Sequence, residues 1–188
     1  DGYIVAAVDL AGTGEVKNTA GREHTEGYTA VLAGRSIPGI RAEEIVIVAN
    51  ALSKLENVDP ARIAGLGINE MCIPLIHAAA FSSKICSISL AGPLVSYKVV
   101  AMNRDYRIGF TAREGGGYWH PYEVDFSWGV GGALTSYDLP DLIAAIAPRK
   151  VIMTGIRNEI LQPAADDLIM KELAFPFSIY SSKGISQN

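Results

Sequence analysis

The sequence lacks most of the features that mark metal-binding, membrane-spanning and nucleic-acid-binding proteins. Its 188 residues include two cysteines and three histidines, and no CxxC pair occurs, which argues against a cysteine-based zinc site or a disulfide framework. No apolar run approaches the ~20 residues that a membrane helix needs. A formal net charge of −4 leaves no basic surplus to neutralise phosphates, so nucleic acid is not an expected partner.

Cofactor signatures are also missing. Gly12-Thr13-Gly14 follows an apolar segment, but no G-x-G-x-x-G is completed and no GK[ST] follows, so nucleotide binding is not predicted. We expect no cofactor and no metal. Cys72 and Cys86 lie in apolar stretches and are predicted to be buried free thiols.

What is present is enough apolar sequence for a packed domain. Hydrophobic residues make up 49% of the chain and charged residues 19%, which is typical of a globular protein. We expect residues 1–188 to form a single domain. A strand-like segment opens at the second residue, which predicts that these residues are a C-terminal portion of a longer protein.

Strand and helix patterns alternate along the chain. Apolar segments predict strands at five places, and amphipathic or capped segments between them predict four helices. This alternation predicts an α/β fold with a doubly wound, mostly parallel sheet, and strands that are apolar throughout indicate that helices cover both faces. The predicted strands are residues 3–9, 62–67, 85–90, 150–155 and 177–181, and the predicted helices are 41–55, 71–81, 138–147 and 163–173.

Residues 93–137 interrupt the alternation. This segment is rich in glycine and aromatic residues and contains no clear strand or long helix. A loop of this length inside a compact domain is usually functional. We interpret it as a loop or lid, in which His120 with Trp119 and Trp128 forms either a relocated base, a sugar-stacking platform, or ordinary loop packing.

Three ordered segments carry a resemblance to a known fold family. Residues 9–15 (DLAGTGE) follow the first predicted strand, residues 58–63 (VDPARI) lead into the second, and residues 141–149 (DLIAAIAPR) precede the fourth. In this order they resemble α/β-hydrolases of the acetyl xylan esterase-like and prolyl oligopeptidase-like branch. With Pro74 and residues 77–80, they are most similar to the degenerate second hydrolase-like domain of large bacterial acetyl xylan esterase-like proteins. The resemblance implies a partial α/β-hydrolase fold without its N-terminal strands.

The resemblance also locates three positions where the family carries a Ser-Asp-His triad. The G-x-S-x-G elbow reads Gly67-Ile68-Asn69-Glu70-Met71, with Asn69 in place of the nucleophilic serine. The acid position after the fourth strand is Asn158, and the histidine position after the last strand is Ile185. Neither amide replaces a nucleophile or a carboxylate, so the triad is predicted to be vestigial.

The family's oxyanion strand has no counterpart in these residues. In the family it lies between the strands that correspond to residues 3–9 and 62–67. Either an upstream segment fills that slot, or the two predicted strands pair directly. In both cases the resemblance implies an incomplete oxyanion hole if this chain acts alone.

Two functions follow from these observations. The first is a non-catalytic domain with a structural, carbohydrate-binding or assembly role, whose partner is an N-terminal catalytic domain or an oligomer. The second is an active carboxylic ester hydrolase on an acylated carbohydrate, using Glu70, His120 and Glu159 or groups from a missing segment. Solvated carboxylates are the competing interpretation of Glu70 and Glu159.

His77 is predicted to be a packed helix residue and His24 a solvated one. The resemblance implies a bacterial protein that is periplasmic or secreted, although no residue here indicates a location.

Overall fold

The computed structural model describes residues 2–16, 25–103, 124 and 126–185. His24 and His120 lie outside the described residues, as do Trp119 and the middle of the predicted 93–137 loop, residues 104–123. Among the described residues, no helix combines the length and the hydropathy needed to cross a membrane.

Three parallel strands form the sheet at the centre of the fold. They are β1 (Ala64–Ile68), β2 (Ser87–Ala91) and β3 (Lys150–Thr154), in the order β1-β2-β3. The register aligns Gly65, Ile88 and Val151 across the sheet. Parallel neighbours require crossover connections, and helices supply them here. The predicted α/β class, with a mostly parallel sheet flanked by helices in a partial α/β-hydrolase-like fold, is confirmed.

The helices start at signals that the sequence contains. Ser36 caps α2 through its side-chain oxygen, with Pro38 in the first turn, and Asp138 caps α5 in a reciprocal capping box with Asp141. Helix α2 therefore begins four residues before the predicted start at residue 41. The helices are α1 (Thr25–Leu32), α2 (Ile37–Leu52), α3 (Cys72–Phe81), α4 (Tyr97–Met102), α5 (Leu139–Ile146), α6 (Asp166–Glu172) and α7 (Ala174–Ser182).

One face of the sheet carries the main core. Ile88 and Leu90 of β2 are buried in a cluster with residues of α3 and α5, and α7 adds Phe177 and Tyr180 at its margin. Glycines on β1 bring α3 close to the strand, because a Cβ on Gly67 would lie 3.0 Å from the Cα of Cys72. The opposite face is different. Ala64, Leu66 and Ile68 of β1 and Lys150, Ile152 and Thr154 of β3 are all exposed, so the predicted second cover is not present among the described residues.

Two predicted strands are wrong. Residues 3–9 are extended but pair with no strand in the described part of the chain, and Tyr3, Ile4 and Val5 are exposed. An apolar run forms a strand only when a neighbour supplies its hydrogen bonds. Residues 177–181 lie in helix α7 instead of a strand.

The predicted 93–137 loop contains structure at both ends. Helix α4 begins after Ser96, whose hydroxyl accepts a hydrogen bond from the backbone N–H of Val99. The Asp138 carboxylate accepts hydrogen bonds from the backbone N–H groups of Tyr97 at 2.6 Å and Lys98 at 3.0 Å. One carboxylate thus serves the starts of α4 and α5 and joins the two ends of the segment to each other.

Candidate functional site

The candidate site lies where the three strands reach their carboxyl ends. In open parallel sheets, ligands bind in the crevice outside this edge. The turn from β1 to α3 begins there, with Asn69 in a left-handed conformation at φ +50°. Asparagine is one of the few non-glycine residues that adopt this conformation readily. β1, a sharp turn and α3 therefore lie in the order that the elbow prediction requires.

Gly67 and Gly92 shape this turn. A Cβ on Gly67 would lie 3.0 Å from the carbonyl oxygen of Met71, so only glycine allows the close approach of strand and helix. Gly92 follows β2 with φ +72°, and a Cβ there would lie 2.6 Å from Oδ1 of Asn69. The Asn69 side chain therefore occupies the space that a side chain at position 92 would need. Met71 stands where the family pattern has its second glycine, at an ordinary φ of −72°.

Arg157 lies beside Asn69. Its Nε is 3.7 Å from the position of a Cβ on Gly92, so both side chains border the same small space. The backbone of Arg157 extends the sheet beyond β3: its N–H donates to the carbonyl of Pro93 at 2.8 Å, and its carbonyl accepts from the N–H of Val95 at 2.9 Å. Arg157 was not among the site residues predicted from the sequence, although it directly precedes Asn158.

Asn158 has a local structural task. Its Oδ1 accepts hydrogen bonds from the backbone N–H groups of Ile160 at 3.1 Å and Gln162 at 2.9 Å. The backbone N–H of Asn158 donates to the carbonyl of Gln162 at 2.9 Å, which closes the same turn. This is the pattern in which a short polar side chain replaces backbone hydrogen bonds in a loop. The side-chain oxygen of Asn158 is therefore committed to its own turn.

Ile185 follows a helix and not a strand. Its N–H donates to the carbonyl of Tyr180 at 3.1 Å, and Gly184 has φ +73°, which together end α7. The assignment of Ile185 to the histidine position depended on a strand at residues 177–181. Since that strand is absent, the assignment loses its basis.

No hydrogen bond or ion pair joins the alternative catalytic residues Glu70 and Glu159 in the described part of the chain. Oε1 of Glu70 lies 3.7 Å from Nη1 of Arg41 on α2. Arg41 also donates from Nε to the carbonyl of Ala11 at 2.9 Å, so the Glu70–Arg41 pair links the elbow to the residues after the N-terminal segment. Glu159 is half-buried in the loop after β3 and forms no ion pair with a described residue. His120 lies outside the described residues.

His77 and Cys72 belong to the packing of α3. Nδ1 of His77 lies 2.8 Å from the carbonyl of Ile73, which can only accept, so Nδ1 carries the proton and Nε2 accepts from the Tyr137 hydroxyl at 3.1 Å. Burial lowers the pKa of His77 below its usual value. Burial raises the pKa of the Cys72 thiol to about 12, so it is not a nucleophile at neutral pH. Among the described residues, no group of His, Cys, Asp or Glu side chains is arranged to hold a metal ion.

A cavity of about 400 Å³ opens at the outer edge of β1. The extended N-terminal residues form one wall, α2 a second and β1 with α3 a third, and only Asp9 and Thr13 among its lining residues are polar. It is the place where the family's oxyanion strand was expected. The structure contradicts the alternative in which the two predicted strands pair directly, since residues 3–9 form no ladder with β1. A segment upstream of residue 1 stays the predicted occupant of this slot.

Comparisons with known proteins place the fold. No protein-family model and no curated protein matches the chain. A crystal structure from Bacteroides fragilis, provisionally named an acetyl xylan esterase, is similar with a TM-score of 0.60 and 17% sequence identity, covering 93% of this chain. The chain spans 44% of the length of that structure. The similarity therefore shows an esterase-like α/β fold and leaves activity to be argued from the residues.

Proposed function

We propose that this chain is a non-catalytic hydrolase-fold domain, which does not hydrolyse esters and has a structural, carbohydrate-binding or assembly role. The observation that carries the proposal is Asn69, which occupies the left-handed position of the strand–turn–helix elbow. A carboxamide has no proton that a base could remove to create a nucleophile. The residue at the position of the family's nucleophilic serine therefore cannot attack an ester.

The surroundings of Asn69 support the same conclusion. Asn158 offers no carboxylate to orient an imidazolium, and its oxygen is already used by two backbone N–H groups of its own turn. The only described histidine, His77, is buried and engaged by Ile73 and Tyr137. Glu70, the alternative general base next to the elbow, is paired with Arg41.

The exposed apolar surface supports a structural or assembly role. Leu66 and Ile68 on the open side of β1 are 70% and 57% exposed, and Val5 in the unpaired N-terminal segment is 87% exposed. Contiguous apolar surface beside an unpaired strand edge is typical of an interface. We propose that this side of the sheet packs against another domain or subunit of the parent protein. Carbohydrate binding is the second candidate role, because the similar structure is named as an acetyl xylan esterase.

Turnover of a small activated acetate ester tests the proposal. We expect the purified chain to show no rate above a protein blank, and we expect Asn69→Ser to show none either, because the serine would gain neither base nor acid. Glu70→Gln and His120→Ala are the matched variants for the alternative hydrolase. A wild-type rate that collapses in either variant would contradict the proposal and assign the chemistry to these residues.

A further inference from the structure

Two polar side chains border the space above Gly92 without partners in the described part of the chain. The guanidinium of Arg157 and the carboxamide of Asn69 both approach the position of a Cβ on Gly92, at 3.7 Å from Nε and 2.6 Å from Oδ1. Neither side chain makes a hydrogen bond or an ion pair with a described residue. The guanidinium of Arg157 is half-buried, so its N–H donors are directed to this space without a protein acceptor and are available to a ligand.

Arg157 differs in this respect from the other arginines that contact the core. Arg149 donates to four carbonyl oxygens, among them those of Ala79 at 2.6 Å and Ser82 at 2.8 Å. Arg41 is engaged by Ala11 and Glu70. Those guanidinium groups hold helices and segments in place. The backbone of Arg157 is fixed by its hydrogen bonds to Pro93 and Val95. Its side chain is half-buried and binds no described residue.

The location keeps room for a ligand. Gly92 and Gly155 follow β2 and β3 with φ of +72° and +62°, and a Cβ on Gly155 would meet only the backbone nitrogen of Gly92, at 3.9 Å. Two adjacent strand ends therefore present no side chain. In open parallel sheets ligands bind outside the carboxyl ends of the strands, so the two unengaged polar side chains lie where a ligand is expected. We refer to this place, bordered by Asn69, Gly92 and Arg157, as the recess.

We infer that this recess binds a carboxylate-bearing ligand through Arg157, with Asn69 hydrogen-bonding a hydroxyl next to the carboxylate. The planar guanidinium offers two parallel N–H donors that match a carboxylate, and the carboxamide both donates and accepts, as a hydroxyl requires. Glu70 already matches the charge of Arg41, and no described carboxylate forms an ion pair with Arg157. One uncompensated cation favours a singly charged carboxylate over a phosphate dianion. The inference rests on the proposed function, since it assigns binding to a crevice without a triad.

The test is a titration of the whole chain with D-glucuronate, followed by the chemical shifts of backbone amides near residues 69, 92 and 157. Glucose serves as the uncharged counterpart of glucuronate, and inorganic phosphate serves as the dianion. We expect glucuronate alone to bind with saturating shifts. Arg157→Gln should weaken binding by about tenfold or more, because hydrogen bonds to a charged group are among the strongest. Arg157→Lys should have an intermediate effect, since lysine keeps the charge and loses the fork.

Arg62→Gln is the matched control, because Arg62 is exposed and lies at the opposite end of β1. It removes the same charge and should leave the affinity unchanged. Equal thermal unfolding midpoints for both variants establish that the fold is intact. Equal binding of glucose, tighter binding of phosphate, or unchanged affinity in Arg157→Gln would overturn the inference. Ester turnover by the wild type would overturn the proposed function and leave this result untouched, whereas absent glucuronate binding would overturn only the site.

Discussion

The two faces of the sheet differ sharply although their residues alternate along the same strands. On one face Leu90 is 1% exposed and packs in the cluster formed with α3 and α5. On the other face Leu66, on the neighbouring strand, is 70% exposed. Both are leucines inside strands, and the local sequence does not distinguish them. The comparison shows that an apolar residue in a strand predicts a covered position. The cover does not have to come from the described residues of the same chain.

The difference also separates two functions of the sheet. The covered face holds the domain together through the packing of α3 and α5. The open face, the free edge of β1 and the cavity beside it contribute little to the stability of this chain, and their apolar character is available for a partner. Three measurements sharpen or break this separation.

The largest effect should come from a pair of identical substitutions on the two faces. Leu90→Ala removes a fully buried side chain and leaves a cavity, which should lower the free energy of unfolding by about 2–5 kcal/mol. Leu66→Ala should change it by no more than about 0.5 kcal/mol, because the side chain is already in water. Urea unfolding of both variants measures the difference.

Both outcomes are informative about the open face. If Leu66→Ala destabilises the chain as strongly as Leu90→Ala, the face is covered in solution and the comparison fails. A destabilisation that appears only at high protein concentration would instead indicate self-association through this face, because binding between copies stabilises the folded state by mass action.

Arg149 should give the second largest effect. Its guanidinium binds the carbonyls of Ala79 in the last turn of α3 and of Ile146 at the end of α5. It also binds those of Ser82 and Ile85, which follow α3. Arg149→Gln should lower the free energy of unfolding by about 1.5–3 kcal/mol, because it leaves these carbonyls without a charged donor.

The control again is Arg62→Gln. Arg62 precedes β1 as Arg149 precedes β3, but it is exposed and its side chain makes no hydrogen bond or ion pair with a described residue. We expect a change within about 0.5 kcal/mol. Equal effects of the two substitutions would mean that the positive charge stabilises the chain, and that the hydrogen bonds from Arg149 to the ends of α3 and α5 do not.

The sequence predicted the covered half of the molecule well, for physical reasons. β1, β2 and β3 combine apolar residues with flanking helices, and their local pattern and tertiary packing agree. α5 was predicted within a residue because Asp138 and Pro140 start it and Pro148 follows its end. Residues 3–9 have the same apolar pattern but no paired neighbour, which a local pattern does not reveal.

The C-terminal error has a different cause. Phe177, Ile179 and Tyr180 favour strands by intrinsic propensity, but Leu173, Phe177 and Tyr180 lie at helical spacing and pack against the core. That spacing was visible in the sequence and outweighs propensity. At the candidate site, Asn69 was identifiable from the elbow motif, whereas Arg157 became visible only when the sheet placed it beside Gly92.

The smallest effect concerns the pH dependence of the covered face. Burial lowers the pKa of His77 in the folded chain below its ordinary value of 6.5. Above pH 6.5 both states are neutral and the stability contributed by the neutral ring is complete. As the pH falls below 6.5, His77 binds a proton in the unfolded chain but not in the folded chain, so the free energy of unfolding declines. The decline ends when the pH has fallen below the pKa of His77 in the folded chain. The slope is limited to about 1.4 kcal/mol per pH unit.

Urea unfolding between about pH 7 and about pH 5.5 measures this slope. His77→Gln should lower the stability at pH 7, since the contacts with Ile73 and Tyr137 are altered, but it should flatten the decline toward low pH. A chain with His24→Gln and His120→Gln retains His77 alone and should keep the wild-type slope. If His77→Gln keeps the full decline, a group outside the layer of α3 and α5 titrates, and the pH sensitivity does not belong to the covered face.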